Sequence, residues 1–263
     1  MIQRKEPFVL YWNGEIFLDK SPLNFWLNAV FVKIFGLSEF SIRLVSAISG
    51  FITIIIIFSY ALKKWEIIPA LFSFSALALN NVYIWRLRTG NLDALLTFLF
   101  VVSYLLIISK NKNRYFYLGT VFALMYLQKL TIFFLPLAIF IFYELLTQKK
   151  KVFKKIPSYL LIILVILIID GIWLLIGWLK VGDKYPFYYL FKADQGVGRL
   201  SLTFFKTDYL SYTYYSLQRR LIYPFIIGIV SLIANIKRPK NLVLFLFSTT
   251  LIVFLSFTER RNN

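Results

Sequence analysis

The chain has no cysteine and no histidine. Without cysteine there is no disulfide and no thiolate metal site, and the redox compartment cannot be read. Without histidine, imidazole can serve neither as a general base nor as a metal ligand. Acids are scarce as well: 12 Asp and Glu stand against 30 Lys and Arg, for a net charge of +18. No basic stretch is interleaved with a recognisable DNA- or RNA-binding module, so the excess charge does not point to nucleic acid. There is no signal peptide, no internal repeat and no low-complexity tract.

Apolar residues are abundant. The 263 residues are 59% hydrophobic and 19% aromatic, with a mean hydropathy of +0.72. Soluble domains lie nearer 45–50% apolar, so the composition predicts an all-α, polytopic transmembrane bundle. Apolar runs that read as spans lie near Phe40–Leu62, Ile67–Trp85, Leu92–Ser109, Ser158–Leu179, Leu221–Ile236 and Leu242–Phe257. The tract from Tyr115 to Leu146 is interrupted only by Gln128 and Lys129. As one helix it would be roughly 48 Å long, too long for a hydrocarbon core of ~30 Å, so two short spans turning at Lys129 are expected. That makes about eight spans, with interfacial helices in the outer loops.

Charge sets the orientation. Lys63 and Lys64, the group Lys110, Lys112 and Arg114, the cluster Lys149 to Lys155, and the group Lys237, Arg238 and Lys240 fall on one side if the long tract turns. The positive-inside rule makes that side cytoplasmic. Nine of the acids, Asp19, Asp93 and Asp194 among them, then fall outside. The chain reads as one membrane domain: residues 1–38 form an outer loop with an interfacial helix, 39–179 transmembrane helices, 180–220 a second outer loop and 221–257 further transmembrane helices.

Four groups could carry chemistry. In "FLDKSPLNFW", Ser21 and Pro22 open a short helix from Leu23 to Phe35, and Asp19 and Lys20 sit at its mouth. Helix N-termini attract anions, and Lys20 adds a full positive charge. The plainer reading is an interface anchor with Trp26 and the phenylalanines in lipid and a solvated ion pair. In "WRLRTGNLDALLTF", Arg86, Arg88, Asn91 and Asp93 lie in a very short outer loop, a pattern suited to clamping phosphate; the carboxylate can equally be a helix-dipole partner. Lys129 lies in the turn between two short spans, where a lysine is costly without a partner, unless it snorkels to the interface. The second outer loop alternates aromatics with Arg199, Arg219 and Arg220, giving sugar-stacking surfaces or an interfacial belt. Asp170, inside a span, is a further acid of functional or purely structural use.

The stretch "NGEIFLDKSPLNFWLNAVFVKIFGLSEFSIRL" resembles the first outer loop of the polyprenyl-phosphate-sugar glycosyltransferases of the GT-C superfamily, in particular the aminoarabinose-transferase and protein-mannosyltransferase type. "RTGNLDALLTFLF", "YLQKLTIFFLP", "GDKYPFYYLFKADQGVGRL" and "FLSFTERRNN" resemble that family's later motifs, in the same order. The resemblance implies transfer of a sugar from a dolichyl or undecaprenyl phosphate to a lipid, protein or glycan acceptor, outside the plasma or inner membrane and with inversion. It implies that Lys20 and Arg199 hold the donor phosphate, that Lys129 lines the lipid cavity, and that Asp19 and Asp93 are the acids of the site. Asp19 would orient the acceptor or bind a divalent cation, Mg or Mn; zinc is not expected, because the ligating histidine of some relatives has no counterpart. The family's first span and its Asp-Glu motif are also without counterpart, so this stretch alone is expected to be inactive. A transporter or lipid flippase, or a non-catalytic membrane scaffold, stands as the alternative class.

Overall fold

The computed structural model describes residues 6–18, 20–130 and 132–192, and the isolated positions 230, 233, 241, 243 and 244. The expected spans at Leu221–Ile236 and Leu242–Phe257, and Asp19, Arg199, Arg219 and Arg220, lie outside the described residues.

The described part is helical, apart from one small hairpin. Strands β1 (Tyr11–Trp12) and β2 (Glu15–Ile16) pair antiparallel, Tyr11 opposite Ile16. Asn13 and Gly14 join them at φ +48° and +90°. Two consecutive positive φ values suit a two-residue hairpin turn, and Asn-Gly tolerates them best. Helix α1 (Leu23–Phe35) follows, then α2 (Glu39–Trp65), α3 (Ile67–Ala78), α4 (Asn81–Arg88), α5 (Leu92–Ile107), α6 (Arg114–Gln128), α7 (Phe134–Gln148), α8 (Ile156–Val181) and the short α9 (Lys184–Phe187). Among the described residues, two helices, α2 and the stretch Val152–Val181, are long and apolar enough to cross a membrane.

Local chemistry sets several boundaries. The Ser38 hydroxyl accepts from the Ser41 amide at 3.3 Å while the Ser41 hydroxyl accepts from the Ser38 amide at 3.2 Å, a reciprocal cap that starts α2. Asn80 caps α4 through the Tyr83 amide at 3.0 Å. That cap breaks the apolar run Ile67–Trp85, expected as one span, into α3 and α4. The long tract divides at Lys129, with α6 ending at Gln128 and α7 beginning at Phe134. Each part has 15 residues, about 22 Å, shorter than the hydrocarbon core.

The start of α1 differs from expectation. Pro22 is the capping position and no side chain caps the helix, while Ser21 is buried. The Trp26 indole N–H donates to the Pro7 carbonyl, and its ring meets Phe8 edge-on. The most exposed apolar side chains of α1 are Val30, Ile34 and Phe35.

Packing concentrates where α6 meets α8 and where α2 meets α3 and α5. Lipid tails are as apolar as leucine, so close packing holds these helices together more than exclusion of water does. Gly119 makes the α6–α8 approach possible: a Cβ there would lie 2.9 Å from the Val165 Cβ and 3.1 Å from the Ile162 carbonyl. Leu118, Phe122 and Met125 are fully buried on the same helix, while Leu160, Leu164, Leu167 and Ile168 of α8 face outward.

The N-terminal segment is tied to the far end of α8. Lys180 pairs with Glu6, and the Tyr185 hydroxyl donates to the Phe8 carbonyl at 2.9 Å. The Lys180 hydrogen bond holds the Glu6 carboxyl below its ordinary range. A lowered folded-state value makes the pair stabilising above that range, and the benefit is lost as pH falls through the depressed value. The effect is small, because the lysine is open to solvent. Unfolding midpoints of wild type and Glu6→Gln are expected to differ slightly at neutral pH and to converge in acid; a gap unchanged with pH would contradict the pairing.

Candidate functional site

Three loops meet at the end of the bundle opposite the Lys149–Lys155 turn. The first is the stretch ahead of α1, which brings Lys20 and Ser21. The Tyr189 hydroxyl fixes it by donating to the Lys20 carbonyl at 3.2 Å. The second is the α4–α5 connection, Thr89 to Asn91. Gly90 takes φ +67° there, and the Asn91 side chain caps α5 by accepting from the Asp93 amide at 2.8 Å. The third is the α6–α7 turn, where Gln128 ends α6 and the Lys129 amide donates to the Met125 carbonyl at 2.8 Å. The Gln128 amide nitrogen crosses to the Leu92 carbonyl at 2.8 Å and so joins the second loop to the third.

Between these loops lies a cavity of about 420 Å³, lined by Lys20, Ser21, Asn91, Asp93, Gln128 and Lys129 among others. A second, larger hollow of about 690 Å³ adjoins it, with Asp93 and Lys129 lining both. It is a groove between α2 and α5, walled by apolar side chains such as Ile56, Ile57, Leu96 and Phe100. Tyr60, Trp65 and Tyr104 line it farther from Asp93. From Asp93 to Tyr104 is eleven residues of α5, about 16 Å of rise. A polar chamber therefore lies beside an apolar groove that runs along the helices, with Asp93 and Lys129 on the wall of both.

Asp93 stands at the junction. Its carboxylate accepts from Arg86 at 3.1 Å and lies 3.8 Å from the Lys129 ammonium. The three side chains are a third to nearly a half exposed. Ion pairs that open are worth at most ~1 kcal/mol. An incoming anion could therefore take Lys129 from Asp93 at little cost. Lys20 lines the same chamber.

The candidate residues thus separate. Lys20, Asp93 and Lys129 come together. Arg86 supports Asp93 from the last turn of α4 and does not line either hollow; Arg88, on the same helix, is exposed and lines neither. The expected two-arginine loop is in fact the end of a helix, so the two guanidiniums point to different surroundings. Asp170 is buried halfway along α8 and lines neither hollow; both its oxygens are without a hydrogen-bond partner among the described residues. Among those residues no group of three or more acidic side chains is arranged around a metal ion, and the Asp93 oxygens already face cations. The donor set at Asp93 does not fit a divalent ion, which prefers six or more oxygens. Two site residues went unread in the sequence: Gln128, which looked like an interruption of an apolar tract, and Tyr189, which looked like one of many interfacial tyrosines.

A model of the dolichyl-phosphate-mannose-protein mannosyltransferase family matches residues 19–173. The chain is 27% identical over 153 residues to the Bacillus subtilis protein named "Putative mannosyltransferase YycA", a match spanning 57% of this chain and 22% of that protein. It is 28% identical over 191 residues to an uncharacterised Aquifex aeolicus protein, spanning 70% of this chain and 38% of that one. In structure it is similar over its whole length to half of ArnT from Cupriavidus metallidurans. The TM-score is 0.78 against the form bound to undecaprenyl phosphate and 0.80 against the apo form, at 16% identity. The chain therefore spans no more than about half the length of these relatives.

Proposed function

The chain belongs to the dolichyl-phosphate-mannose-protein mannosyltransferase family, and on that footing we propose that it forms the donor-binding part of a membrane glycosyltransferase whose sugar rides on a polyprenyl phosphate. The observation that supports this most is that the two hollows adjoin, with Asp93 and Lys129 lining both. A lysine-lined chamber of about 420 Å³ lies against an apolar groove of about 690 Å³, the two meeting at Asp93 and Lys129. An anionic head on a long apolar tail matches that sequence of surroundings, and ArnT is the structural relative seen with undecaprenyl phosphate.

In this reading the phosphate sits between Lys20 and Lys129, the isoprenoid chain runs down the α2–α5 groove, and the sugar faces the chamber. Transfer proceeds on the extracytoplasmic face of the plasma or inner membrane, because the lysine-rich turn at the opposite end belongs in the cytoplasm. The two lysines oppose the negative charge that grows on the departing phosphate, and the chamber holds donor and acceptor in line, which gives inversion at the transferred carbon. Asp93 keeps Lys129 and Arg86 in place until the phosphate arrives. Arg199, Arg219 and Arg220 in the second outer loop are proposed as further cationic contacts. Asp19 serves the acceptor, either directly by taking its proton or through a divalent cation. The acceptor is a lipid, protein or glycan.

The test is binding of undecaprenyl phosphate to detergent-solubilised protein. Lys20→Ala is expected to weaken it by about 1.5–3 kcal/mol, the usual worth of a charge-assisted contact, or roughly 10- to 150-fold. Asp19→Asn is expected to leave it nearly unchanged. Equal losses in the two variants would reduce the pair to a structural element ahead of α1 and remove the phosphate role of Lys20.

A further inference from the structure

Gln128 lines the chamber and carries an unused hydrogen-bond acceptor. The residue is 2% exposed. Its amide nitrogen donates to the Leu92 carbonyl at 2.8 Å, while its amide oxygen is buried without a hydrogen-bond partner among the described residues. The orientation is not interchangeable. Turned over, the amide would set its oxygen against the Leu92 carbonyl, acceptor to acceptor. The Leu92 contact therefore fixes the oxygen as the free group. A buried acceptor left unpaired costs about 1–3 kcal/mol, and native proteins leave few of them.

The surroundings say what a partner must be. Gln128 lines the same chamber as Lys20, Asp93 and Lys129. An amide oxygen needs a donor. A phosphate offers none when ionised, so the lipid head that the lysines suit cannot itself satisfy Gln128. A sugar hydroxyl attached to that phosphate can. We infer that Gln128 is a specificity residue that accepts a hydrogen bond from one hydroxyl of the donor sugar, given the lipid-phosphate reading of the neighbouring lysines, on which this assignment rests. Sites that hydrogen-bond a substrate hydroxyl discriminate strongly against the analogue lacking it, because the protein group is then left unpaired. Gln128 thus supplies selection among sugars, while the lysines supply affinity for any polyprenyl phosphate.

The experiment compares two probes, undecaprenyl phosphate and mannosyl-phosphoryl-undecaprenol, together with the monodeoxy analogues of the second. Gln128→Met keeps the length of the side chain and removes the amide. Because the bond to the Leu92 carbonyl goes with the amide, any loss from the loop tie falls on both lipids, and the sugar-bearing lipid is expected to weaken by about tenfold more than the sugar-free one, in line with one further hydrogen bond. One deoxy analogue should lose a similar factor on wild type and nothing further on Gln128→Met, since the two changes remove one contact. Equal weakening of both lipids would make Gln128 a structural prop. No loss for any deoxy analogue on wild type would overturn the assignment without recourse to the variant. Failure of wild type to bind either lipid would overturn the lipid-phosphate reading as well, whereas binding of both that is indifferent to Gln128 would overturn this inference alone.

Discussion

Replacing Glu144 with alanine is expected to destabilise the bundle by about 3–5 kcal/mol, the usual cost of stranding one member of a buried ion pair. Glu144 and Arg114 are nearly inaccessible, with side-chain exposures of 3% and 9%. Their contact closes the lysine end of the molecule. Arg114 also donates to the Ile107 and Ser109 carbonyls, each at 3.0 Å. Glu144 accepts from the Tyr159 hydroxyl at 2.8 Å and the Tyr115 hydroxyl at 3.3 Å, with Lys155 3.7 Å away. One carboxylate thus joins the end of α5, the starts of α6 and α8, and α7. Its removal leaves a guanidinium in a dry site with its charge unmatched. Unfolding in mild detergent would register the loss. The double replacement Glu144→Leu with Arg114→Met should recover much of it, because two apolar groups leave no orphan charge. A double variant as unstable as the single one would refute this account of the network.

The second large effect concerns the donor. Lys20→Ala combined with Lys129→Ala is expected to reduce affinity for undecaprenyl phosphate by about two to four orders of magnitude, if each charge-assisted contact carries roughly 1.5–3 kcal/mol and the two add. Asp93→Asn should act in the opposite direction. It removes a like charge beside the phosphate and releases Lys129 from a contact 3.8 Å long, so binding should hold or tighten. Opposite signs at neighbouring residues separate a specific phosphate seat from general damage to the fold. If all three substitutions weakened binding alike, the chamber would be only a structural junction.

The helices were largely legible because apolar runs and their punctuation are local properties. Leu23–Phe35 was readable from the position of Pro22 and the chain's polar interruptions, and the turn at Lys129 from length alone. The break between α3 and α4 was missed although Asn80 and Asn81 mark it, because a hydropathy reading averages over two residues that a cap does not. The Asn13-Gly14 hairpin carried a standard turn signal that was read only as part of a motif. The site was half legible. Lys20, Asp93 and Lys129 are ionisable residues at membrane ends, and charge in such places is conspicuous. Gln128 and the Glu144–Arg114 network were not, since their meaning comes from partners 36 and 30 residues away in sequence. The Trp26 hydrogen bond was not legible either, because its N–H meets a carbonyl that only the fold places there.

The most direct measurement of the central claim is an experimental structure of the protein with undecaprenyl phosphate bound. The phosphate should lie within hydrogen-bonding distance of the Lys20 and Lys129 ammonium groups, with the first isoprene units between α2 and α5 along Leu96 and Phe100. A phosphate seated away from both lysines, or a chain leaving the bundle without entering that groove, would contradict the account.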